Sequence, residues 1–249
     1  MLAIVSAMQE EISAVVESLA HARTRELGRR VFHAGSFQGV ETVAVFSRWG
    51  KVAAAATVTQ LLASFPVSRV VLSGVAGGVG RGISIGDVVI GTGLIQHDLD
   101  ASPIFPRYEV PLLGRARLTP DPQIRAGLEL AAREFLREEL ASRVAREELA
   151  HFRIGAPQVV CGTIASGDKF FASTRELEEL RSRLPDTACV EMEGAAVAQV
   201  CEEYGVAFGV IRTISDSANE RSSSDFPRFI REVARHYCAG MLARYARNL

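Results

Sequence analysis

Short apolar runs alternate along the chain with stretches of helical spacing. The first run, Leu2–Ala7, predicts a buried strand, and the apolar positions within Met8–Leu19 recur at helical intervals. By the same criteria, further strands are predicted at Val31–Phe37, Val40–Phe46, Arg69–Ser73, Gly86–Ile95, Gln158–Ile164 and Val206–Ile214. Helices are predicted at Lys51–Phe65, Pro122–Leu149, Thr174–Leu184, Gly194–Tyr204 and Phe226–Arg247. This alternation is typical of an α/β fold. Because no repeat or linker interrupts it, residues 1–249 are expected to form a single domain.

The strongest candidate site surrounds the last two strands. Glu191 and Glu193 close one strand, and the strand Val206–Ile214 carries Arg212 and leads to Asp216. Ligands bind outside the carboxyl ends of strands in open α/β sheets, so these acids are expected to meet at one edge. The alternative is that an acid such as Glu193 only caps the helix that follows it.

Three other segments have features of a binding site. A glycine cluster at residues 74–80 either lets backbone approach a ligand or forms a tight turn, and it lacks the Gly-x-Gly-x-x-Gly spacing of dinucleotide sites. Phe170 and Phe171 predict either a stacking platform or core packing. The apolar, proline-rich stretch Ser102–Leu113 cannot form regular structure, which is typical of a loop that covers a pocket or a partner subunit.

Composition narrows the possible partners. The net charge of −1 argues against nucleic acid or an anionic membrane as a partner. The four cysteines form no Cys-x-x-Cys pair, and His97 with Asp98 lacks further ligands, so no metal and no cofactor are expected. No apolar run approaches the ~18 residues of a membrane span, and the N-terminus does not resemble a signal peptide, so a cytoplasmic protein is expected.

Seven segments together resemble motifs of the nucleoside phosphorylase/nucleosidase superfamily, and most closely the bacterial 5′-methylthioadenosine/S-adenosylhomocysteine nucleosidases. They occur in family order and span nearly the whole chain: Ala7-Met8-Gln9-Glu10-Glu11, Gly50-Lys51-Val52, Gly74-Val75-Ala76-Gly77-Gly78, Gly86-Asp87-Val88-Val89 with His97-Asp98, Ser166-Gly167-Asp168-Lys169-Phe170, Val190-Glu191-Met192-Glu193, and Arg212-Thr213-Ile214-Ser215-Asp216. The resemblance implies a three-layer sandwich with a central mixed β-sheet. It also implies a homodimer that uses water to cleave the N-glycosidic bond of a purine nucleoside and release adenine.

The resemblance also implies roles for individual residues. Asp216 matches the acid that protonates N7 of the leaving purine, and Glu11 matches the base that activates water. Glu193 matches the carboxylate that binds the ribose hydroxyls, Met192 lies under the sugar, and Arg212 lies near the water.

Further positions match the substrate-binding residues of the family. Phe170 corresponds to the purine-stacking ring, the backbone of Phe171 reads the adenine edge, and Phe226 lies near the 5′ substituent. The loop residues Ile104, Phe105 and Tyr108 are expected to cover the 5′ pocket of the neighbouring subunit. Ala76, Gly77 and Glu191 complete the predicted substrate-binding set.

Glycoside cleavage passes through an oxocarbenium-like state, so it requires one group that helps the base to leave and another that prepares water. Phosphorylases of this superfamily carry Gly-Asp-Pro-x-Arg after the first strand, where this chain has Ala7-Met8-Gln9-Glu10-Glu11. Carboxylates there repel phosphate and favour a hydrolase.

Val75 departs from the serine of many close nucleosidases, and residues 101–153 match poorly. A phosphorylase, a nucleosidase for futalosine or another 5′-modified purine nucleoside, and a non-catalytic nucleoside-binding protein therefore remain alternatives.

Overall fold

The computed structural model describes residues 1–216 and 222–249. The strands are β1 (Leu2–Ser6), β2 (Ala20–Leu27), β3 (Arg30–Phe37), β4 (Val40–Phe46), β5 (Arg69–Gly78), β6 (Val88–Gln96), β7 (Arg117–Leu118), β8 (Val159–Ser166), β9 (Thr187–Glu191) and β10 (Ala207–Asp216). The helices are α1 (Gln9–Glu17), α2 (Lys51–Ser64), α3 (Pro122–Glu138), α4 (Leu140–Arg143), α5 (Arg146–His151), α6 (Thr174–Arg183), α7 (Gly194–Glu203), α8 (Ser222–Phe229) and α9 (Arg235–Arg247), with a π-helical segment at Ile230–Ala234.

The strands of the described chain form one mixed sheet that partly closes on itself. Its order is β10-β6-β8-β9-β5-β1-β4-β3-β2, β7 pairs with β6, and β10 also pairs with β5. Strands β5, β10, β6, β8 and β9 therefore make a closed ring, from which β1, β4, β3 and β2 extend. Strand β5 is parallel to β1 and β10 but antiparallel to β9.

Helices cover the sheet on two sides, which confirms the predicted α/β sandwich. One large core contains apolar residues of α1, α3 and α9. The other contains those of α2 and α7. Strands such as β1 are buried along their whole length, which explains their continuous apolar sequence. In the described residues, no helix combines the length and apolar character needed to cross a membrane.

Several elements differ from the sequence-based expectations. Strand β2 was not predicted, because its residues are polar and exposed at the sheet edge, where it pairs only with β3. Strand β5 does not end at Ser73 but continues through the glycines to Gly78. The charged stretch predicted as one helix over Pro122–Leu149 divides into α3, α4 and α5. The last helical stretch begins at Ser222 rather than Phe226.

Some of the acidic side chains at the C-terminal end of α3 join this helix to α9. The guanidinium of Arg244 on α9 contacts Glu134, Glu138 and Glu139 at 3.1, 2.7 and 2.6 Å. Below these ion pairs, the rings of Phe135 and Tyr237 lie 5.2 Å apart. Close packing of α3 against α9 therefore supports the helical layer on this side of the sheet.

We expect Gly240→Ala on α9 to lower the free energy of unfolding by about 1–3 kcal/mol. A Cβ at this position overlaps the ring of Phe135, which is fully buried and has no space to move into. Chemical denaturation measures the change. Gly155→Ala is the matched control, because a Cβ there meets nothing within 4 Å, and its effect should stay within about 0.5 kcal/mol. Equal stability of the two variants would contradict the close packing of α3 and α9.

Candidate functional site

One pocket collects most of the predicted site residues. Its volume is about 600 Å³ including its open mouth. The predicted residues that line it are Glu11, Ala76, Gly77, Phe170, Phe171, Glu191, Met192, Glu193, Arg212, Asp216 and Phe226. Its lining also includes Ala7, Met8, Trp49, Val75, Lys169, Val190 and Ser215.

The acids meet in this pocket at the carboxyl ends of their strands, as the sequence predicts. Val190, next to Glu191, and Asp216 both pair with Gly77 near the end of β5. The strand directions were not anticipated, because β9 is antiparallel to β5 while β10 is parallel to it.

Arg212 belongs to the pocket lining, and its side chain is only 1% exposed. Its Nη2 donates to Glu191 and lies 3.4 Å from Oε2 of Glu193. Glu191 also accepts a hydrogen bond from the Ser166 hydroxyl and one from the backbone N–H of Gly194 at 2.8 Å. Because the protein itself supplies these donors, Glu191 is built to hold Arg212 and the start of α7 in place.

Glu11 lies beside this ion pair, near the start of α1. Its carboxylate accepts from the backbone N–H of Val75 at 3.0 Å and of Met8 at 3.1 Å. A Cβ at Gly74 would overlap the guanidinium of Arg212 and would lie 3.1 Å from Oε1 of Glu11. The glycine cluster is therefore neither a dinucleotide loop nor a tight turn at this point. It is a strand that leaves space for Glu11 and Arg212 to approach each other.

Burial and mutual repulsion alter the acidity of these carboxyl groups. The pKa of Glu11 is raised to about 7, chiefly by burial; the charge of Arg212 opposes the shift and that of Glu193 adds to it. Burial and the charge of Glu191 likewise raise the pKa of Glu193, again opposed by Arg212. Glu11 and Glu193 therefore retain their protons to a higher pH than free glutamates do.

A second set of contacts fixes the other side of Glu193. Oε1 of Glu193 accepts from the backbone N–H of Gly50 at 2.9 Å. The next residue, Lys51, donates its backbone N–H to Asp168 at 2.7 Å and its ammonium to Asp98 at 2.6 Å. Asp98 is therefore an ion-pair partner. Among the described residues, no group of three or more His, Cys, Asp or Glu side chains is arranged to hold a metal ion.

Asp216 occupies the end of β10, opposite Gly77 of β5. Its side chain is buried, and Oδ2 accepts a hydrogen bond from the Ser215 hydroxyl at 2.7 Å. The strand pairing shifts register between Ile214 and Asp216. This irregularity places Ser215 and Asp216 together in the pocket lining.

The two adjacent phenylalanines have different environments. Phe170 is 41% exposed and meets Phe226 edge-on, with ring centroids 5.8 Å apart. Phe171 is buried and meets the ring of His97 edge-on at 5.3 Å. Of the two alternatives drawn from the sequence, Phe170 therefore suits a stacking surface, whereas the ring of Phe171 packs in a small core.

The predicted loop residues lie apart from the pocket. Ile104 is 83% exposed, and Tyr108 lies under the guanidinium of Arg107 at 5.1 Å. Neither these residues nor Phe105 line the pocket of their own chain. Their assignment to the pocket of a neighbouring subunit stays a prediction.

Several lining residues were not selected from the sequence. These residues include Met8, Trp49 and Lys169. Each lies within or next to a motif segment, close to Glu11, Gly50 and Phe170 respectively, and this proximity is the only sequence signal that identifies them. Ser215 has the same kind of signal, since it directly precedes Asp216.

Comparison with known proteins agrees with this geometry. The family model of the phosphorylase superfamily matches residues 1–247. A 5′-methylthioadenosine/S-adenosylhomocysteine nucleosidase of Chromohalobacter salexigens is 36% identical over 236 residues, which are 94% of this chain and 92% of that protein. The nucleosidase of the same name from Bacillus subtilis is 36% identical, with 94% of each chain covered.

Solved structures are similar along the whole chain. The Neisseria meningitidis nucleosidase in complex with methylthio-immucillin-A has a TM-score of 0.87 and 32% identity, covering 100% of this chain and 99% of that one. The futalosine hydrolase of Helicobacter pylori has a TM-score of 0.84 and 31% identity, covering 100% and 97%. The chain therefore belongs to the phosphorylase superfamily and is a relative of its 5′-methylthioadenosine/S-adenosylhomocysteine nucleosidases.

Proposed function

We propose that this protein hydrolyses the N-glycosidic bond of 5′-methylthioadenosine, S-adenosylhomocysteine or both, and releases adenine. The placement of Glu11 and Asp216 in one pocket carries this proposal. Glu11 is bonded to the backbone of Val75, and Asp216 pairs with Gly77. These two anchor points are two residues apart on β5, or about 7 Å at the rise of a strand. Hydrolysis needs one group that helps the base to leave and another that prepares water, and both of these carboxyl groups line the same pocket.

The pocket supports a division of roles. Asp216 protonates N7 of the purine, while Glu11 accepts a proton from the attacking water. The raised pKa of Glu11 suits a base that works near neutral pH. Glu193, held by Gly50, binds the ribose hydroxyls above Met192, and Phe170 supplies the stacking surface for the base.

Other residues bind or organise the substrate. Ala76 and Gly77 offer backbone close to the purine, Phe171 contributes its backbone to the adenine edge, and Phe226 borders the 5′ end. Arg212 fixes the positions of the carboxylates and of the attacking water. Because Glu191 is occupied by protein donors, we assign it to the positioning of Arg212.

The alternatives are distinguished by charge and by substrate. A phosphate anion would meet Glu11 and Glu193. Among the described residues that line the pocket, the one guanidinium is that of Arg212, which is already paired with Glu191, so phosphorolysis is electrostatically disfavoured. A nucleosidase acting on another 5′-modified purine nucleoside is the second candidate. It is favoured by the similarity to the futalosine hydrolase of Helicobacter pylori.

We further propose that the chain folds as a single domain, acts as a homodimer in the cytoplasm and contributes to methionine salvage. Support for the dimer comes from apolar side chains that project into solvent from the loop containing Ile104, where Leu112 is also exposed. Release of adenine from 5′-methylthioadenosine leaves 5-methylthioribose, which retains the sulfur atom and is the product that a salvage route needs.

Adenine release from 5′-methylthioadenosine should be equally fast with and without phosphate, with free 5-methylthioribose as the second product. Chromatography of both products tests this. Asp216→Asn should lower kcat by about 100- to 10,000-fold, because an amide cannot donate the proton. Asp186→Asn, on an exposed ion pair with Arg117, is the matched control and should keep full activity. A sugar 1-phosphate formed only with phosphate would identify a phosphorylase, and no turnover of any purine nucleoside would identify a binding protein.

The value of kcat/KM should fall as the pH is lowered through about 7, because the pKa of Glu11 is raised to about 7 and a protonated carboxyl cannot accept a proton from water. Glu191→Gln should move this fall to lower pH. Without the charge of Glu191, more of the positive charge of Arg212 acts on Glu11 and stabilises its ionised form. A pH–rate profile measures both effects. Glu129→Gln, outside the pocket, should leave the profile unchanged; an unmoved profile in Glu191→Gln would contradict the coupling.

The mass in solution should be twice the 26.9 kDa of one chain. Replacing the exposed Ile104 by Asp should weaken the dimer, because a charge then enters an apolar contact. Sedimentation equilibrium measures this. A monomeric wild-type enzyme with full activity would show that the loop has another role.

A further inference from the structure

The roles proposed above use neither His97 nor Asp98, although both lie beside the purine segment, residues 167–171. They directly follow β6, which pairs in parallel with β8 so that Gln96 lies opposite Ser166. The chain therefore leaves the two strands side by side at one edge of the sheet. The backbone N–H of His97 donates to the carbonyl oxygen of Ser166 at 3.0 Å, which extends the pairing one step past the end of β6.

The imidazole of His97 packs against the purine segment at two points. Its ring meets that of Phe171 edge-on, with ring centroids 5.3 Å apart. A Cβ at Gly167 would overlap Nε2 of His97, so the segment approaches the ring this closely only because it has glycine here. His97 is buried, and burial lowers its pKa, so it packs as an uncharged ring at neutral pH.

Asp98 holds the backbone of the same segment. Its Oδ2 accepts a hydrogen bond from the backbone N–H of Asp168 at 3.0 Å, and its Oδ1 accepts one from the ammonium of Lys51 at 2.6 Å. The ion pair with Lys51 fixes the carboxylate as an acceptor for the segment. Together with the ring of His97, this bond restrains the path of the backbone that leads to the pocket.

We propose that His97 and Asp98 are positioning residues that hold the backbone of Phe171 where it reads the adenine edge, and that they thereby set the preference for adenine over a 6-oxopurine. The inference rests on the proposed function, because the backbone of Phe171 must meet the base. Adenine carries a donor at N6, where a 6-oxopurine carries an acceptor. A backbone fixed to suit adenine leaves polar groups unpaired against the other base, whereas a backbone that moves adapts to both.

The ratio of kcat/KM for 5′-methylthioadenosine to that for 5′-methylthioinosine measures this preference. His97→Ala should lower the ratio by about tenfold, and His97→Phe, which keeps an aromatic ring against Phe171, should retain more of it. Phe65→Ala is the matched control, because it removes one ring of the pair Phe32–Phe65 beyond the C-terminal end of α2. Its ratio should stay unchanged. If His97 had only a structural role, His97→Ala would lower stability or both kcat/KM values equally, and the unchanged ratio would overturn the proposal.

Asp98→Asn tests the same role without removing a buried ring, and it decides the matter if His97→Ala does not fold. An uncharged amide holds Asp168 and Lys51 less firmly than a carboxylate does, so the ratio should fall by about threefold. Asp186→Asn, on the exposed ion pair with Arg117, is the control and should leave the ratio unchanged. An unchanged ratio in Asp98→Asn would contradict the assigned role.

Binding of the free bases separates failure of this proposal from failure of the proposed function. If the wild type releases a purine from neither nucleoside, the proposed function fails, and calorimetric Kd values for adenine and hypoxanthine test the positioning role instead. Adenine should bind the wild type more tightly than hypoxanthine, by a margin that shrinks in His97→Ala and in Asp98→Asn. Equal affinity of the wild type for both bases, or the same margin in the variants, would overturn the proposal.

Discussion

The buried charge of Arg212 is the constraint on which the site depends. A guanidinium removed from water is stable only when it is paired and hydrogen-bonded, and removal of a buried partner typically costs about 3–5 kcal/mol. Arg212 meets this need through Glu191 and Glu193. Glu191 lies at the end of β9, Glu193 directly precedes α7, and Arg212 lies on β10. The ion pairs therefore hold together elements that are distant in sequence.

The same cluster explains why the sheet closes as it does. Strand β9 overlaps β5 by only the pairs Gly77↔Val190 and Gly78↔Cys189, whereas β10 pairs with β5 along most of its length. The short overlap ends the ladder just before Glu191, so its side chain is free to turn toward Arg212. Gly74 removes the Cβ that would otherwise separate Arg212 from Glu11. Glycine is needed here for close approach, and the conformation is that of an ordinary strand.

Electrostatics also links the site to its chemistry. Carboxylates outnumber the guanidinium around Glu11, which disfavours a phosphate anion and leaves a neutral nucleophile such as water as the better reactant. The contacts of Lys51 with Asp98 and Asp168 keep Gly50 directed at Glu193. Motifs that are separate along the chain thus act together to fix the carboxylate of Glu193.

The sequence by itself determined the α/β class, most strands and helices, and the identity of the acids, because burial imposes apolar runs and helical periodicity that are visible locally. It did not reveal β2, whose polar edge needs no apolar pattern, or the extension of β5 through its glycines. Only the tertiary structure decided that Glu191 serves Arg212, that the rings of Phe170 and Phe171 separate into pocket and core, and that Trp49 lines the pocket. The physical reason is that these outcomes depend on contacts between residues distant in the sequence, such as Glu191 with Arg212 and Phe171 with His97. Local periodicity carries no information about such partners, and they meet only when the ring of strands closes.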